Sequence, residues 1–317
     1  MKNQITPIFI FSLPRSGSTL LQRIITLDER FATTPETWFL LSLLGSQKDD
    51  IQYSVYSSNH AKNAMNDLLK KEQDIQSFRK IQKEYINNFY SFLAGGRSYF
   101  VEKTPRNYWI CEEIFKIFGD RAKYIFLWRN PADIASSMID TWGAGYWNLY
   151  SYESDFKVGI KNLVKCYREN MGISLELHYD EIVNDPEMVT NKLADYLDIK
   201  NNNFELSRLS KNLISGKMGD PTGQFKKKNL EQTAHDALHP ILRQKMFLRI
   251  IKDIKDELEL MGYPYDSIKS NLMKQSVYSI DLLVGDILKC FYGTMYKNIQ
   301  PFILKKILMK KILGVLR

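Results

Sequence analysis

The feature that most constrains this chain is an apolar run near its start that breaks into a short polar loop and then resumes with a different period. Residues 8–11, Ile-Phe-Ile-Phe, are typical of a strand that is buried on both faces of a parallel sheet. After the loop, apolar residues recur at helical spacing between Leu20 and Ile25. The pattern therefore predicts a strand, a loop and a helix.

The loop has the composition of an anion-binding site. Gly17 lets the backbone approach a ligand closely, and the first helical turn after it offers unpaired N–H groups that attract phosphate or sulfate. Arg15 adds a fixed positive charge. The Gly-Lys-Ser/Thr ending of nucleoside-triphosphate P-loops is missing. We therefore expect the loop to bind an anion other than the triphosphate of ATP.

A second segment repeats the strand-to-helix pattern. Residues 123–128 are apolar enough for another buried strand, and Arg129 follows them directly. Pro131 is well placed to open a helix, because the first helical position needs no N–H donor. On that helix Ser137 comes eight residues after Arg129, so its hydroxyl lies about two turns along, on the side that faces the strand end.

Together these two segments resemble the nucleotide-binding signatures of sulfotransferases that use 3′-phosphoadenosine 5′-phosphosulfate (PAPS). The resemblance implies an α/β, P-loop kinase-like three-layer fold with a central parallel sheet over about residues 5–265. In that family the first loop binds the 5′-phosphosulfate, and an arginine and a serine eight residues later bind the 3′-phosphate. The residues implied to bind PAPS are Arg15, Ser16, Gly17, Ser18, Thr19, Leu20, Arg129 and Ser137.

Two elements between these signatures also resemble family sequences. They are Thr-Pro-Glu-Thr-Trp-Phe, which contains Glu36, and Glu-Lys-Thr-Pro, which contains Lys103. Sulfuryl transfer needs a base for the acceptor proton and positive charge at the leaving phosphate, and the resemblance implies these roles for Glu36 and Lys103. The alternatives are an acid in the first turn of a helix and a solvated loop lysine. The four histidines lie near none of the best motifs, so no histidine base is evident.

A glycine-rich, basic stretch at residues 216–228 resembles the late loop of some bacterial members of the family. Backbone amides around Gly219 and the ammonium group of Lys226 would suit the 3′-phosphate or the adenosine. The alternative is a solvent-exposed turn with a run of charge. Both interpretations stay open at this point.

Composition narrows the function further. The chain of 317 residues is 44% hydrophobic, which is enough for a full core. Residues 271–317 carry eight basic and two acidic residues, a net +6 out of +8, and the balanced remainder argues against a nucleic-acid surface. Three cysteines without CxxC spacing predict neither a zinc site nor a disulfide framework, and the resemblance implies no metal.

The start of the chain runs straight into the first predicted strand, which leaves no room for a signal peptide or a spanning helix before it. We therefore expect a cytoplasmic, bacterial-type enzyme. The expected organisation is a sulfotransferase domain at residues 1–265 and a basic, apolar C-terminal extension at residues 266–317.

Two regions are candidates for the acceptor side of the site. Residues 59–92 are predicted to form a helical insertion over the acceptor, with an apolar stripe that includes Leu68, Ile81, Tyr85 and Ile86. The loop at residues 141–152 is rich in aromatic rings, which either stack on an acceptor or complete the core.

The C-terminal extension ends in apolar pairs that alternate with lysine pairs. The pairs repeat every five residues, which gives no continuous amphipathic face, and no run is long enough to span a bilayer. Three interpretations stay open: peripheral contact with an anionic membrane, packing in a homo-oligomer, and docking on the chain's own domain.

The predicted reaction is transfer of a sulfuryl group from PAPS to a hydroxyl, or less favourably an amine, of a glycan, lipid or small-molecule natural product. The alternatives are a P-loop-type phosphotransferase (kinase), a non-catalytic membrane-surface protein and a sulfotransferase-like protein without activity. The missing Gly-Lys-Ser/Thr and the Arg129 and Ser137 spacing count against the kinase. A membrane-surface role alone would leave both anion motifs unused.

Overall fold

A computed structural model describes residues 5–45, 58–199, 204–214, 236–277, 282–293 and 295. In this part of the chain five parallel strands form one sheet in the order β2-β3-β1-β4-β5. The strands are β1 (Thr6–Phe11), β2 (Phe31–Thr33), β3 (Tyr99–Glu102), β4 (Lys123–Trp128) and β5 (Ser174–His178). The predicted α/β fold with a central parallel sheet is confirmed.

Helices connect the strands and continue after the last one. They are α1 (Ser18–Ile25), α2 (Phe39–Leu44), α3 (Ser58–Leu68), α4 (Glu72–Ala94), α5 (Cys111–Phe118), α6 (Pro131–Trp142), α7 (Ile160–Glu169), α8 (Tyr179–Asn184), α9 (Pro186–Tyr196), α10 (Ile241–Ile251), α11 (Lys255–Leu260) and α12 (Tyr265–Lys274). A further helix covers residues 282–293. A 3₁₀ turn at Pro105–Trp109 precedes α5, and a π-helical turn at Asp155–Gly159 precedes α7.

The alternation of side chains along β1 explains the layers around the sheet. Ile8 and Ile10 point to one face, where they join a buried aliphatic cluster that includes residues of α1 and α9. Phe9 and Phe11 point to the other face, where aromatic rings dominate. On that face the ring of Phe9 lies 5.2 Å from the ring of Phe118 in α5. Helices therefore cover both faces of the sheet, as the predicted three layers require.

Sheet order determines where a site can form. β1 pairs with β3 on one side and with β4 on the other, so the strand order of the sheet reverses next to β1 while all strands stay parallel. In open parallel sheets, the loops at the carboxyl ends of strands on either side of such a switch border a ligand crevice. The loops that follow β1, β3 and β4 carry Arg15, Lys103 and Arg129, and they all lie at this edge.

The chain divides into two compact units. The first includes residues 57–129 and 159–227 together with the N-terminal segment, and it holds the whole sheet. The second includes residues 130–158 and 228–317 and holds α6 and the helices from α10 onward. The domain boundary expected at residue 265 stays a prediction.

In the second unit, a buried ion pair holds the helix at residues 282–293. Asp286 on this helix and Arg243 on α10 are 1% and 2% exposed. Their side chains form two hydrogen bonds, with Arg243 Nε 2.5 Å from Asp286 Oδ2 and Nη2 2.9 Å from Oδ1. Asp286 Oδ1 also accepts from the backbone N–H of Trp147. Charge and hydrogen bonds therefore fix this helix on the unit.

Some sequence-based expectations fail in detail. The strand β2 was not predicted, and three residues of the expected stripe, Leu68, Ile81 and Tyr85, are exposed. The buried positions of α4 are Gln82, Ile86, Tyr90 and Ala94, which recur every four residues, so Ile86 is the one of the four named stripe residues that is buried. None of the helices within the described ranges has the length and hydrophobicity that crossing a bilayer requires.

Candidate active site

The loop between β1 and α1 has an unusual backbone. Arg15 and Gly17 both have positive φ, 67° and 87°. Gly17 adopts this conformation at little cost and forms the N-cap of α1, where its carbonyl accepts from the N–H groups of Leu20 and Leu21. Arg15 is held there against a steric cost of about 1–2 kcal/mol. Strain of this kind is typical of a loop shaped for a ligand.

Arg129 joins the second signature to the first. Its Nη1 donates a hydrogen bond of 2.8 Å to the backbone carbonyl of Arg15. Its Nε is buried and has no hydrogen-bond partner among the described residues. The Ser16 hydroxyl, also buried, has none there either. Buried donors without acceptors are costly, and an anionic group bound at this loop would satisfy them.

Tyr179, the first residue of α8, is a site residue that the sequence motifs did not predict. The Arg129 guanidinium lies over the Tyr179 ring, 4.1 Å from its centroid. The same ring packs against Gly17, where an added Cβ would collide with it. Tyr179 follows β5 directly, and its position at a strand end was the signal available in the sequence.

The helix α6 begins as predicted. Pro131 occupies its first turn, and the Asn130 side chain caps it by accepting from the N–H of Ala132 at 3.0 Å. Ser136 is buried and its hydroxyl accepts from the N–H of Ala237, whereas Ser137 is partly exposed. Ser136 therefore has a structural role, whereas Ser137 is accessible to solvent. Because α6 belongs to the second unit, the pairing of Ser137 with Arg129 stays a prediction.

The structure brings Glu36 and Lys103 together. Lys103 Nζ lies 2.9 Å from Glu36 Oε1, and the two side chains are 2% and 14% exposed. Glu36 precedes α2, which begins at Phe39, so it is not an acid in the first turn of a helix. Lys103 is buried, so it is not a solvated loop lysine. Both structural alternatives are therefore wrong.

Beneath this pair lies Glu102, another residue to which sequence analysis gave no role. Its carboxylate accepts hydrogen bonds from the hydroxyls of Thr104 at 2.8 Å, Thr37 at 3.0 Å and Tyr90 at 3.3 Å. Burial raises the pKa of Glu102 above its usual range, against the lowering effect of these hydrogen bonds. Glu102 thus connects the loop that carries Glu36 to the loop that carries Lys103.

The remaining predicted residues divide by location. Ser18, Thr19 and Leu20 form the first turn of α1, directly after Gly17. Gly219 and Lys226 lie outside the described residues. The aromatic loop is mixed: Trp147 is buried, whereas Trp142 is 39% and Tyr146 45% exposed.

Comparisons with known proteins place these motifs in context. Residues 7–203 match the sulfotransferase family. A 150-residue region is 27% identical to the nodulation protein NoeE of Sinorhizobium fredii, covering 46% of this chain and 35% of that protein. The chain therefore spans about a third of that curated relative.

Two solved structures are also similar. The sulfotransferase domain from the curacin biosynthetic pathway is 20% identical with a TM-score of 0.45, covering 87% of this chain and 98% of that one. The sulfotransferase domain of the Synechococcus PCC 7002 olefin synthase is 18% identical with a TM-score of 0.45, covering 93% and 96%.

The family match contains the anion loop, the Glu36 and Lys103 pair, Arg129 and Ser137. It extends over more than half of the chain and ends after the sheet is complete. This protein belongs to the sulfotransferase family.

Proposed function

We propose that this protein transfers a sulfuryl group from PAPS to a hydroxyl acceptor. The observation that carries the proposal is the contact of Arg129 with the carbonyl of Arg15, which joins two loops that both present unsatisfied donors. A ligand with anionic groups at two separate positions suits such a site. PAPS has a 3′-phosphate and a 5′-phosphosulfate.

In this proposal each anionic group has its own set of residues. The backbone N–H groups at the start of α1 and the hydroxyls of Ser16, Ser18 and Thr19 bind the 5′-phosphosulfate. Arg129 and Ser137 bind the 3′-phosphate, with Arg129 held in place by Tyr179. Gly219 and Lys226 are proposed to add contacts to the 3′-phosphate or adenosine.

The chemistry is an in-line displacement at sulfur. The acceptor oxygen forms a bond to sulfur while the bond from sulfur to the bridging phosphate oxygen breaks. The products are a sulfate ester and 3′,5′-adenosine bisphosphate, and the acceptor proton is released. Negative charge grows on the bridging oxygen, so a cation held near it lowers the barrier.

Glu36 and Lys103 are proposed to divide this work. Glu36 takes the acceptor proton, and Lys103 stabilises the charge on the bridging oxygen. Their ion pair positions both groups in one place, and Lys103 keeps two further N–H donors for the substrate. Because Lys103 is almost fully buried, water screens its charge little.

The acceptor is proposed to be a hydroxyl compound, with glycans, lipids and small-molecule natural products as the candidate classes and an amine as the less favoured nucleophile. Family membership favours this function over the phosphotransferase alternative.

The test is a calorimetric titration of the protein with 3′,5′-adenosine bisphosphate, 5′-AMP and ATP. We expect the bisphosphate to bind more tightly than the other two. Arg129→Ala should weaken binding of the bisphosphate much more than binding of 5′-AMP, because each charge-assisted hydrogen bond to the 3′-phosphate contributes about 1.5–3 kcal/mol. Arg121→Ala is the matched control, since this exposed arginine precedes β4 and so lies at the opposite end of that strand.

Equal losses for the bisphosphate and 5′-AMP would reduce Arg129 to a support for the Arg15 loop and contradict its assignment to the 3′-phosphate. Tighter binding of ATP than of the bisphosphate would contradict PAPS as the donor.

A further inference from the structure

The helix at residues 282–293 has a charged residue on its inward face and its large apolar side chains on its outward face, the reverse of an ordinary surface helix. Its inward face carries the acid Asp286, which is 1% exposed and paired with Arg243. Gly293 packs on the ring of Tyr150, with which an added Cβ would collide, and Gly285 lies close to the ring of Tyr146. Together with Cys290, whose Sγ lies 3.4 Å from Met246 Sδ of α10, one charge and two glycines therefore make the docking face of this helix.

The outward face carries the large apolar side chains. At about 100° per residue they fall within roughly half of the helix circumference. Soluble proteins usually place such a stripe against their core and leave the polar face to water. We call this set the apolar face; its members, with their exposed fractions, are Leu283 39%, Val284 56%, Ile287 52%, Leu288 65%, Phe291 67% and Tyr292 60% on the helix and Met295 45% two residues beyond its end.

A contiguous exposed apolar surface of this kind indicates an interaction site. Removing the helix from the protein would break the buried Asp286 ion pair, so the helix is not free to turn its apolar face inward. What covers the face must therefore come from outside the described fold.

The charge of residues 282–317 indicates which kind of partner covers the apolar face. Asp286 is the sole acid in the sequence from 282 to 317, and it is neutralised by Arg243. The same span has Lys289 on the helix and six more basic residues after position 295. A second copy of the chain would bring two such basic segments together, which like-charge repulsion disfavours. A surface of anionic phospholipids supplies the opposite charge and an apolar layer beneath it.

We propose that the apolar face lies in the interface of an anionic phospholipid bilayer, parallel to its surface. This places the protein at a membrane surface independently of the sulfuryl donor. The ion pair between Asp286 and Arg243 holds the helix in the orientation that exposes the face.

The first experiment is sedimentation of the full-length protein with vesicles of phosphatidylcholine alone or mixed with phosphatidylglycerol. We expect binding to the mixed vesicles at low salt, weaker binding at high salt and little binding to phosphatidylcholine alone. The double variant Leu288→Gln, Phe291→Gln should lose at least tenfold in partitioning. Met273→Gln is the matched control, because Met273 is 60% exposed on α12 of the same unit but lies outside the apolar face.

A second measurement tests insertion of this face directly. Phe291→Trp should shift its fluorescence to shorter wavelength when mixed vesicles are added, and Met273→Trp should not. Affinity for 3′,5′-adenosine bisphosphate serves as the folding control and should be unchanged in the double variant.

Three outcomes would overturn the proposal. The full-length protein remains in the supernatant with mixed vesicles at low salt; or the double variant sediments like the wild type; or ultracentrifugation shows a dimer that the double variant dissociates. The last outcome would assign the apolar face to a second copy of the chain.

Discussion

Replacing Gly17 with alanine tests the architecture of the anion loop most sharply. Two separate contributions should lower its free energy of unfolding. Gly17 has a φ of 87°, which alanine adopts at a cost of about 1–2 kcal/mol. In addition, the new Cβ would collide with the Tyr179 ring, and moving this ring separates it from the Arg129 guanidinium.

The chain offers a control that isolates the second cost. Gly96 has a φ of 91°, and an added Cβ there meets no atom within 4 Å. Gly96→Ala should therefore cost only the backbone strain, partly offset by about 0.4–1 kcal/mol from the stiffer unfolded chain. Gly17→Ala should cost more by the lost cation–π contact, about 0.5–2 kcal/mol.

The assay has two readouts. Urea unfolding gives the free energy of unfolding of each variant, and calorimetry gives the affinity for 3′,5′-adenosine bisphosphate. We expect Gly17→Ala to raise the Kd for the bisphosphate, about tenfold for each 1.4 kcal/mol of binding free energy that is lost when Arg129 is displaced. Gly96→Ala should leave this Kd unchanged. In a Tyr179→Ala background, Gly17→Ala should cost only the strain.

Equal effects of the two glycine variants on stability and affinity would refute this reasoning. So would an undiminished cost of Gly17→Ala in the Tyr179→Ala background, because the collision would then not involve that ring.

Three further predictions concern other residues. Glu36→Gln should lower kcat about 10²–10⁴-fold with any acceptor that the wild type sulfates and leave bisphosphate affinity unchanged; an unchanged kcat would move the base elsewhere. Because burial raises the pKa of Glu102, its contribution to stability is present below the ordinary pKa of 4.5 and is lost as pH rises through the folded pKa, so Glu102→Gln should gain stability relative to the wild type above pH 4.5. A difference that does not vary with pH in urea unfolding would contradict this. Asp286→Ala should cost about 3–5 kcal/mol in urea unfolding by leaving Arg243 unpaired, and the double variant Arg243→Met, Asp286→Leu should recover much of that loss.

The parts of the fold that could be predicted from sequence are those with local signals. After their first residue β1 and β4 are continuous apolar runs, and Pro131 marks the start of α6. The helix stripe at residues 59–92 was wrong in part because a periodic pattern gives the width of an apolar face but not which neighbour buries it. β2 has three residues, too few for a period to show.

The candidate site likewise has parts that the sequence predicts and parts that it does not. The motifs that contain Arg15, Glu36, Lys103 and Arg129 could be found by spacing, but their mutual contacts could not. Glu36 and Lys103 are 67 positions apart in sequence, and the loops that hold them meet only because β2 pairs with β3. Tyr179 was missed for the same reason, since its importance comes from two contacts with distant parts of the chain.

The central position of β1 has a consequence for how the protein is made. Thr6 pairs with Tyr99, so β1 leaves the ribosome before its partner strand β3, which lies about 90 residues further on. At 5–20 residues per second, synthesis of that stretch takes roughly 5–20 s. During this time a strand of alternating isoleucine and phenylalanine has both edges unpaired, which makes the nascent chain prone to aggregation until β3 emerges.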